Sequence, residues 1–515
     1  MSDVAELLRS IRSQGAVLQV NDGKLRYRAP FGVIGDRELS ELRKNKEKVI
    51  SLVCAANEVG HRTPLLPRGP NDLARLPPAH EWGWVTYRET GDLISSMRTV
   101  AVARRISGAL IEECLTRSLK ELVHAHEALR TRIVESGGIP TQVIDGPESF
   151  EVDRWDLSGD VNPERAAKLL VEEFIGDKVR LAEGPLFGVR LIRLAPREYV
   201  VVLALEHSIA DGMTLRILLH HLGVAYRALA QGFPSPIEPP TIQFADYCHW
   251  AHSILSWWMI THYPYWSEHL ADAPCVRFPK DKKRQPNEKA RWTTVSFGLG
   301  DSLSAALRYL SGKLEVTLAM IALSVYVATI LRWQSKTEMV VAVVDSGRNA
   351  TELAQTIGNF ASVLKLRVTL PLQSSWSRFV KSVSNEYAAA HDHYEYGFLC
   401  IAEPQGEFHR VTHFNWTRER SGGGSPIWLT ELLGAEVAML TPFHFDRPIF
   451  ESGDDVDFDP QIWFWDREGG IDAMFWYRAD LLSQESLNEF VGIFLAFAAR
   501  IVAAPNDPVP SASDI

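Results

Sequence analysis

The run Val201-Val202-Leu203-Ala204-Leu205 leads directly into Glu206-His207-Ser208-Ile209-Ala210-Asp211-Gly212-Met213. An unbroken apolar run of this length predicts a buried strand, and the strand ends at His207. A tight loop then reaches Asp211 and Gly212, where a helix begins. This order sets an imidazole at the end of a rigid element, within reach of a substrate, and returns a carboxylate close to the same point. Gly212 permits close backbone approach, and the helix it opens has free N–H groups that favour negative charge. A histidine and a backbone donor facing one cavity are the minimum for acyl transfer: a base for the nucleophile and a donor for the oxyanion. On spacing alone, the same pattern is met by a histidine that is simply hydrogen-bonded at a strand end.

Other combinations offer less. His220-His221 lies inside a helical pattern and reads as surface. His391-Asp392-His393 has metal-like spacing but no third ligand motif, so no metal is expected. Gly422-Gly423-Gly424 has no following Lys and reads as a flexible crossover, not a phosphate loop. Neither a Rossmann nor a Walker pattern occurs, so nucleotide dependence is not expected. The five cysteines, Cys54, Cys114, Cys248, Cys275 and Cys400, form no CxxC pair. They read as reduced core thiols.

These residues need a scaffold, and the chain has the means to build one. Its 515 residues are 46% hydrophobic, 23% charged and 10% aromatic, the composition of a folded protein whose core is not limited by size. Length alone gives a prior of roughly three structural units. Lys plus Arg is 54 against 64 Asp plus Glu, a formal net charge of -10, which argues against a nucleic-acid partner. The opening MSDVAELLRSIRSQG lacks an apolar h-region and predicts no signal peptide. The longest apolar runs, such as Val491 to Ala499, are too short to span a bilayer. The expectation is a soluble, cytoplasmic protein with no membrane partner.

Residues 1–58 read as a unit of their own. Val4, Leu7, Leu8 and Ile11 mark one face of a helix that Gly15 stops. Asn21-Asp22-Gly23 then joins two alternating runs, 16–20 and 24–28, in a hairpin. A second helix is predicted from about Asp36 to Val53. Residues 1–58 hold ten Lys/Arg and eight Asp/Glu, a balance of +2 in an otherwise acidic chain. Lys24, Arg26 and Arg28 alternate along the second strand, which suits capture of an extended acidic peptide at the ribbon's open edge; a solvated basic face gives the same pattern. Residues 59–75 have linker composition. From about 76 onward helices and strands alternate, as in an α/β or α+β protein, and Pro234 to Pro240 suggests two lobes, 76–240 and 241–515.

Along this body, residues 206–212 resemble the HHxxxDG motif of the condensation domains of nonribosomal peptide synthetases. His126-Glu127-Ala128-Leu129-Arg130-Thr131-Arg132 is similar to the family's RHExLRTRF segment, and residues 242–250 resemble its IQYADYAxWQ. Tyr265-Trp266 to Pro274 resembles YWxxxLxGAP. Ser346-Gly347-Arg348 and Ile357-Gly358-Asn359-Phe360 resemble its AGR and IGxFVNT segments. Residues 1–58 in turn resemble a β-hairpin docking domain, with Lys24 to Ile34 carrying the likeness. The whole chain looks like a free-standing docking-plus-condensation protein.

The resemblance implies two chloramphenicol-acetyltransferase-like lobes in a V, after a small helix–β-hairpin–helix docking domain. His207 would deprotonate or orient the attacking amine or hydroxyl, and Gly212 would sit near the thioester carbonyl. Asp211 would be structural and paired with Arg348. No cofactor would be bound directly; substrates would arrive on the phosphopantetheine of carrier proteins. The partners implied are an acyl or peptidyl carrier protein, expected to end in an acidic linear motif, and an amine or alcohol acceptor, free or carrier-bound.

Three positions depart from the family pattern. Glu206 stands where the first motif His is usual, and a carboxylate there would raise the pKa of His207 if it lay beside the ring. Ser362 replaces the usual Asn of IGxFVNT. The family's first motif is faint in Leu76 to Tyr87. Alternatives to an enzyme of this kind are a non-catalytic recruitment module and, from a loose likeness of Glu206, Asp211 and Thr214 to DxxxxDxxS, a heterocyclisation domain.

Overall fold

A computed structural model describes residues 17–21, 24–28, 36–50, 63–69, 72–78, 80–81, 99–176, 181–283, 290–371, 373–394, 411–419, 438–442, 450–452 and 459–510. In the N-terminal unit, β1 (Val17–Asn21) and β2 (Lys24–Arg28) pair antiparallel, with Val17 opposite Arg28, Gln19 opposite Arg26 and Asn21 opposite Lys24. The turn at Asp22-Gly23 and the helix over Val4 to Ile11 lie outside the described residues. The second helix, α1 (Asp36–Lys44), is interrupted by a turn at Asn45 before helical residues resume to 50. Asn45 Nδ2 donates to the Glu41 carbonyl at 3.0 Å, the side-chain competition that makes Asn a poor helix interior.

The N-terminal lobe follows from one strand. β8 (Glu198–Glu206) is apolar without alternation because both its faces are covered. Val201, Leu203 and Leu205 face α2 (Glu112–Ala125) and α4 (Gly212–Ala230). Val200 and Val202 face Ala167 and Val171 of α3 (Pro163–Gly176). β8 lies between β3 (Thr99–Gly108) and β7 (Phe187–Ala195), with β6 (Asp153–Asp156) beyond β7. β4 (Thr131–Ser136) and β5 (Ile139–Ile144) form a separate hairpin.

The C-terminal lobe has a seven-stranded sheet in the order β11-β10-β12-β15-β16-β9-β14. Its strands are β9 (Ala290–Gly298), β10 (Glu338–Asp345), β11 (Ser362–Thr369), β12 (His413–Glu419), β14 (Phe450–Ser452), β15 (Gln461–Arg467) and β16 (Gly470–Arg478). α6 (Asp301–Leu314), α7 (Leu318–Trp333), α8 (Trp376–His391) and α9 (Gln484–Ala503) close its core. α9 has the length and apolarity of a membrane span, unlike the shorter run read from the sequence. Here its Leu487, Phe490, Phe494, Phe497 and Ile501 are buried in the lobe's core.

Contacts cross two of the expected boundaries. The residues up to 75 that read as linker pack on the N-terminal lobe where they are described. Arg68 pairs with Asp246 at 2.7 Å and Glu127 at 2.9 Å, Arg75 bridges to Thr141, and Ala74 and Leu76 are buried. Proline excludes helix and sheet hydrogen bonds but not packing. The division at 240/241 is likewise crossed. Ile242, Phe244, Tyr247 and Cys248, at the start of α5 (Phe244–His269), belong to the core of the N-terminal lobe, with Leu353, Ile357 and Phe360. β13 (Ala438–Pro442), from the C-terminal half, pairs with β3 at the edge of the N-terminal sheet.

Candidate active site

His207 directly follows the last residue of β8 and is half-buried. Asn359 holds it: Nδ2 lies 3.1 Å from the ring's Nδ1 and donates to the His207 carbonyl at 2.6 Å. Among the described residues none hydrogen-bonds Nε2. Glu206 is buried, and its Oε2 accepts the Ser208 N–H at 2.5 Å and also the Ser208 hydroxyl. This oxygen is therefore committed to the loop backbone.

Asp211 is the N-cap of α4. Its Oδ1 accepts the Thr214 N–H at 2.8 Å, the standard use of a capping carboxylate. Oδ2 accepts from Arg348 at 2.6 Å and from the Phe360 N–H at 3.0 Å. The Arg348 guanidinium also donates to the Gly358 carbonyl at 3.1 Å and lies 4.5 Å from the Phe360 ring centroid. The loop between β10 and β11 is thus fastened to the loop that carries His207.

Two glycines make that fastening possible. Gly347 has φ +64°, and a Cβ there would sit 1.7 Å from the Phe360 carbonyl oxygen. A Cβ on Gly358 would lie 2.3 Å from the Phe244 ring. Thr214 is buried between Asp211 and Gly358, donating to the Gly358 carbonyl at 2.8 Å. Gly212, by contrast, is exposed at the helix N-terminus, and a Cβ added there would meet nothing within 4 Å.

A second imidazole lies in the same electrostatic neighbourhood. Burial, and next the proximity of His207, push His80 down to about 4, while Asp211 acts in the opposite sense. Neither His80 nor Asn359 was singled out from sequence. His80 falls in the faint first motif, and Asn359 occupies the variable position of IGxF.

The structure brings His207, Glu206, Asp211, Gly212 and Arg348 together. Lys24, Arg26 and Arg28 belong to the separate two-stranded sheet of β1 and β2. Of the weaker candidates, His220 is exposed as expected, but His221 turns inward, its Nδ1 3.1 Å from Nε2 of buried His126. His391 faces Asp345 at 3.7 Å and His393 meets His262 at 2.8 Å, so the two do not converge on one point. Gly422 to Gly424 lie outside the described residues. Among the described residues Cys114, Cys248 and Cys275 form no disulfide, and burial pushes the Cys248 thiol up.

The sequence profile of the family described as Condensation domain matches residues 94–513, and that of the TubC N-terminal docking domain matches residues 4–54. Malpinin synthetase of Mortierella alpina is 26% identical over 428 residues, covering 81% of this chain. The chain spans 5% of that synthetase's length. The crystal structure of the X-domain from teicoplanin biosynthesis matches with a TM-score of 0.71 at 20% identity, over 88% of this chain and 99% of that one. The first condensation domain of the calcium-dependent antibiotic synthetase, in complex with a substrate analogue, matches with a TM-score of 0.67 at 19% identity, over 86% and 98%. At these identities the structural likeness is one of fold.

Proposed function

We propose, from the premise that this chain belongs to the condensation-domain family and carries a docking domain of the TubC N-terminal type, that it is an acyltransferase acting in trans. It transfers an acyl, peptidyl or polyketide chain from a carrier-protein thioester to an amine or hydroxyl acceptor, in the cytoplasm. The fold is the chloramphenicol-acetyltransferase-like fold of that family. The observation that carries the reading is His207: a half-buried imidazole on a strand end, held through Nδ1 and not engaged at Nε2 by any described residue.

On this reading a phosphopantetheine arm belonging to the carrier protein brings the thioester to His207, so the chain needs no bound cofactor of its own. The exposed start of α4 at Gly212 supports backbone donation to the thioester oxygen, since free N–H groups at a helix N-terminus favour developing negative charge. Asp211 and Arg348 keep the loop in place and do not touch the substrate. The docking hairpin recruits the carrier protein by adding an acidic C-terminal segment to its edge. That unit also supports a carrier supplied on another chain.

Incubation of the full chain with a loaded carrier protein and a panel of amines and alcohols, read by intact mass, tests the reading. Loss of the acyl mass from the carrier with appearance of amide or ester product is the expected result. A second reading, recruitment without catalysis, draws on the fold shared with the X-domain solved in complex with OxyB, at a TM-score of 0.70. A carrier that binds but stays loaded with every acceptor would favour it.

A further inference from the structure

Asn359 touches His207 in two places and Ala361 in a third. Its Nδ2 lies 2.6 Å from the His207 carbonyl oxygen and 3.1 Å from Nδ1, while its Oδ1 accepts the Ala361 N–H at 3.2 Å. Two of these contacts fix which way round the amide sits. A carbonyl oxygen only accepts, so the atom facing it is the NH2 group; a backbone N–H only donates, so the atom facing Ala361 is the amide oxygen. Turned over, the amide would set oxygen against oxygen and N–H against N–H. Asn359 is 8% exposed, so water gives little relief from either mismatch.

The ring nitrogen that faces an NH2 group must accept. Nδ1 of His207 therefore carries the lone pair, and in a neutral imidazole the proton then resides on Nε2. We infer that Asn359 is a positioning residue that fixes His207 as the Nε2–H tautomer, so that His207 meets the substrate as a hydrogen-bond donor to the thioester oxygen and not as the acceptor of the nucleophile's proton. The substrate in that statement rests on the transferase reading above; the tautomer is a property of the free protein.

The step balances without a base on the ring. The nucleophile's lone pair forms the bond to the thioester carbon, and the carbonyl π pair moves onto oxygen beneath the Nε2–H donor. Collapse returns that pair and breaks the carbon–sulfur bond. The proton of the attacking group ends on the departing thiolate, which leaves as the thiol.

Long-range 1H–15N correlation on the full chain labelled with [15N]histidine reads the tautomer, with H207Q assigning the signal. The wild-type protein should show a protonated Nε2 and an unprotonated Nδ1. N359D, which sets a carboxylate acceptor against Nδ1, should move the proton to Nδ1. Its turnover should fall about 100-fold, the scale of losing one oxyanion donor. A wild-type ring protonated on Nδ1, or a folded N359D with an unchanged tautomer, overturns the inference; the wild-type spectrum decides alone if N359D fails to fold. Because the spectrum needs no substrate, an Nε2–H ring in a protein without transferase activity would sink the proposed function and leave the tautomer standing, and an Nδ1–H ring in an active enzyme would do the reverse.

Discussion

Arg348 Nη1 lies 2.6 Å from Asp211 Oδ2, across 137 residues of sequence, and each side chain is about 5% exposed or less. The pair joins the loop after β10 to the N-cap of α4. Arg348→Ala would leave the Asp211 carboxylate buried without its counter-ion, at a cost of about 3–5 kcal/mol. Arg348→Lys should recover only part of this, because an ammonium cannot reproduce the forked donation to Asp211 and the Gly358 carbonyl. Denaturant midpoints of the two variants check the order.

Acid should destabilise the fold through its buried imidazoles. Burial, and then His221, push His126 down to about 3; burial, and then the Lys365 charge, bring His413 to about 3; burial, with His207, holds His80 at about 4. An unfolded histidine titrates near 6.5. Between that value and the folded one, the unfolded chain binds protons that the native protein refuses. The stability is complete above about pH 6.5 and is lost as pH falls toward 3, by up to about 1.4 kcal/mol per pH unit for each group. Melting temperature should therefore fall steadily from pH 7 to pH 5. His126→Gln should flatten that slope.

Gly212 and Gly358 should respond in opposite ways. Gly212→Ala has open space, so its melting temperature should match wild type while KM for the loaded carrier protein rises. Gly358→Ala forces a methyl group against the Phe244 ring and should cost about 1–3 kcal/mol. Unfolding curves and steady-state kinetics on both variants separate the roles.

Charge reversal at Arg26 or Arg28 should weaken binding of an acidic carrier-protein tail and raise the apparent KM, with kcat unchanged. Titration calorimetry with the tail peptide checks this. Unchanged affinity would reduce Lys24, Arg26 and Arg28 to a solubilising face.

What could be read from sequence was mostly local. The apolar run into His207 announced a buried strand, and the helix expected to begin at Gly212 is α4, because periodicity is a short-range signal. The spacing of His207, Asp211 and Gly212 is equally local. The Arg348 partner came from family resemblance, since no spacing links residues 137 apart. Contacts set by tertiary packing stayed hidden. Asn359 has no pattern of its own, His221 was indistinguishable from its exposed neighbour, and β13 joins a sheet whose other strands lie more than 200 residues earlier. The Pro-rich stretch before Leu76 looked loose because composition reports on backbone hydrogen bonding and not on packing.

On the proposed function, the His207 ring promotes acyl transfer. Single-turnover intact-mass analysis of wild type and His207→Ala with one loaded carrier protein and one accepted nucleophile tests it most directly. His207→Ala should lose about 10²–10³ in rate, with carrier binding unchanged. Wild-type turnover in the variant would contradict it.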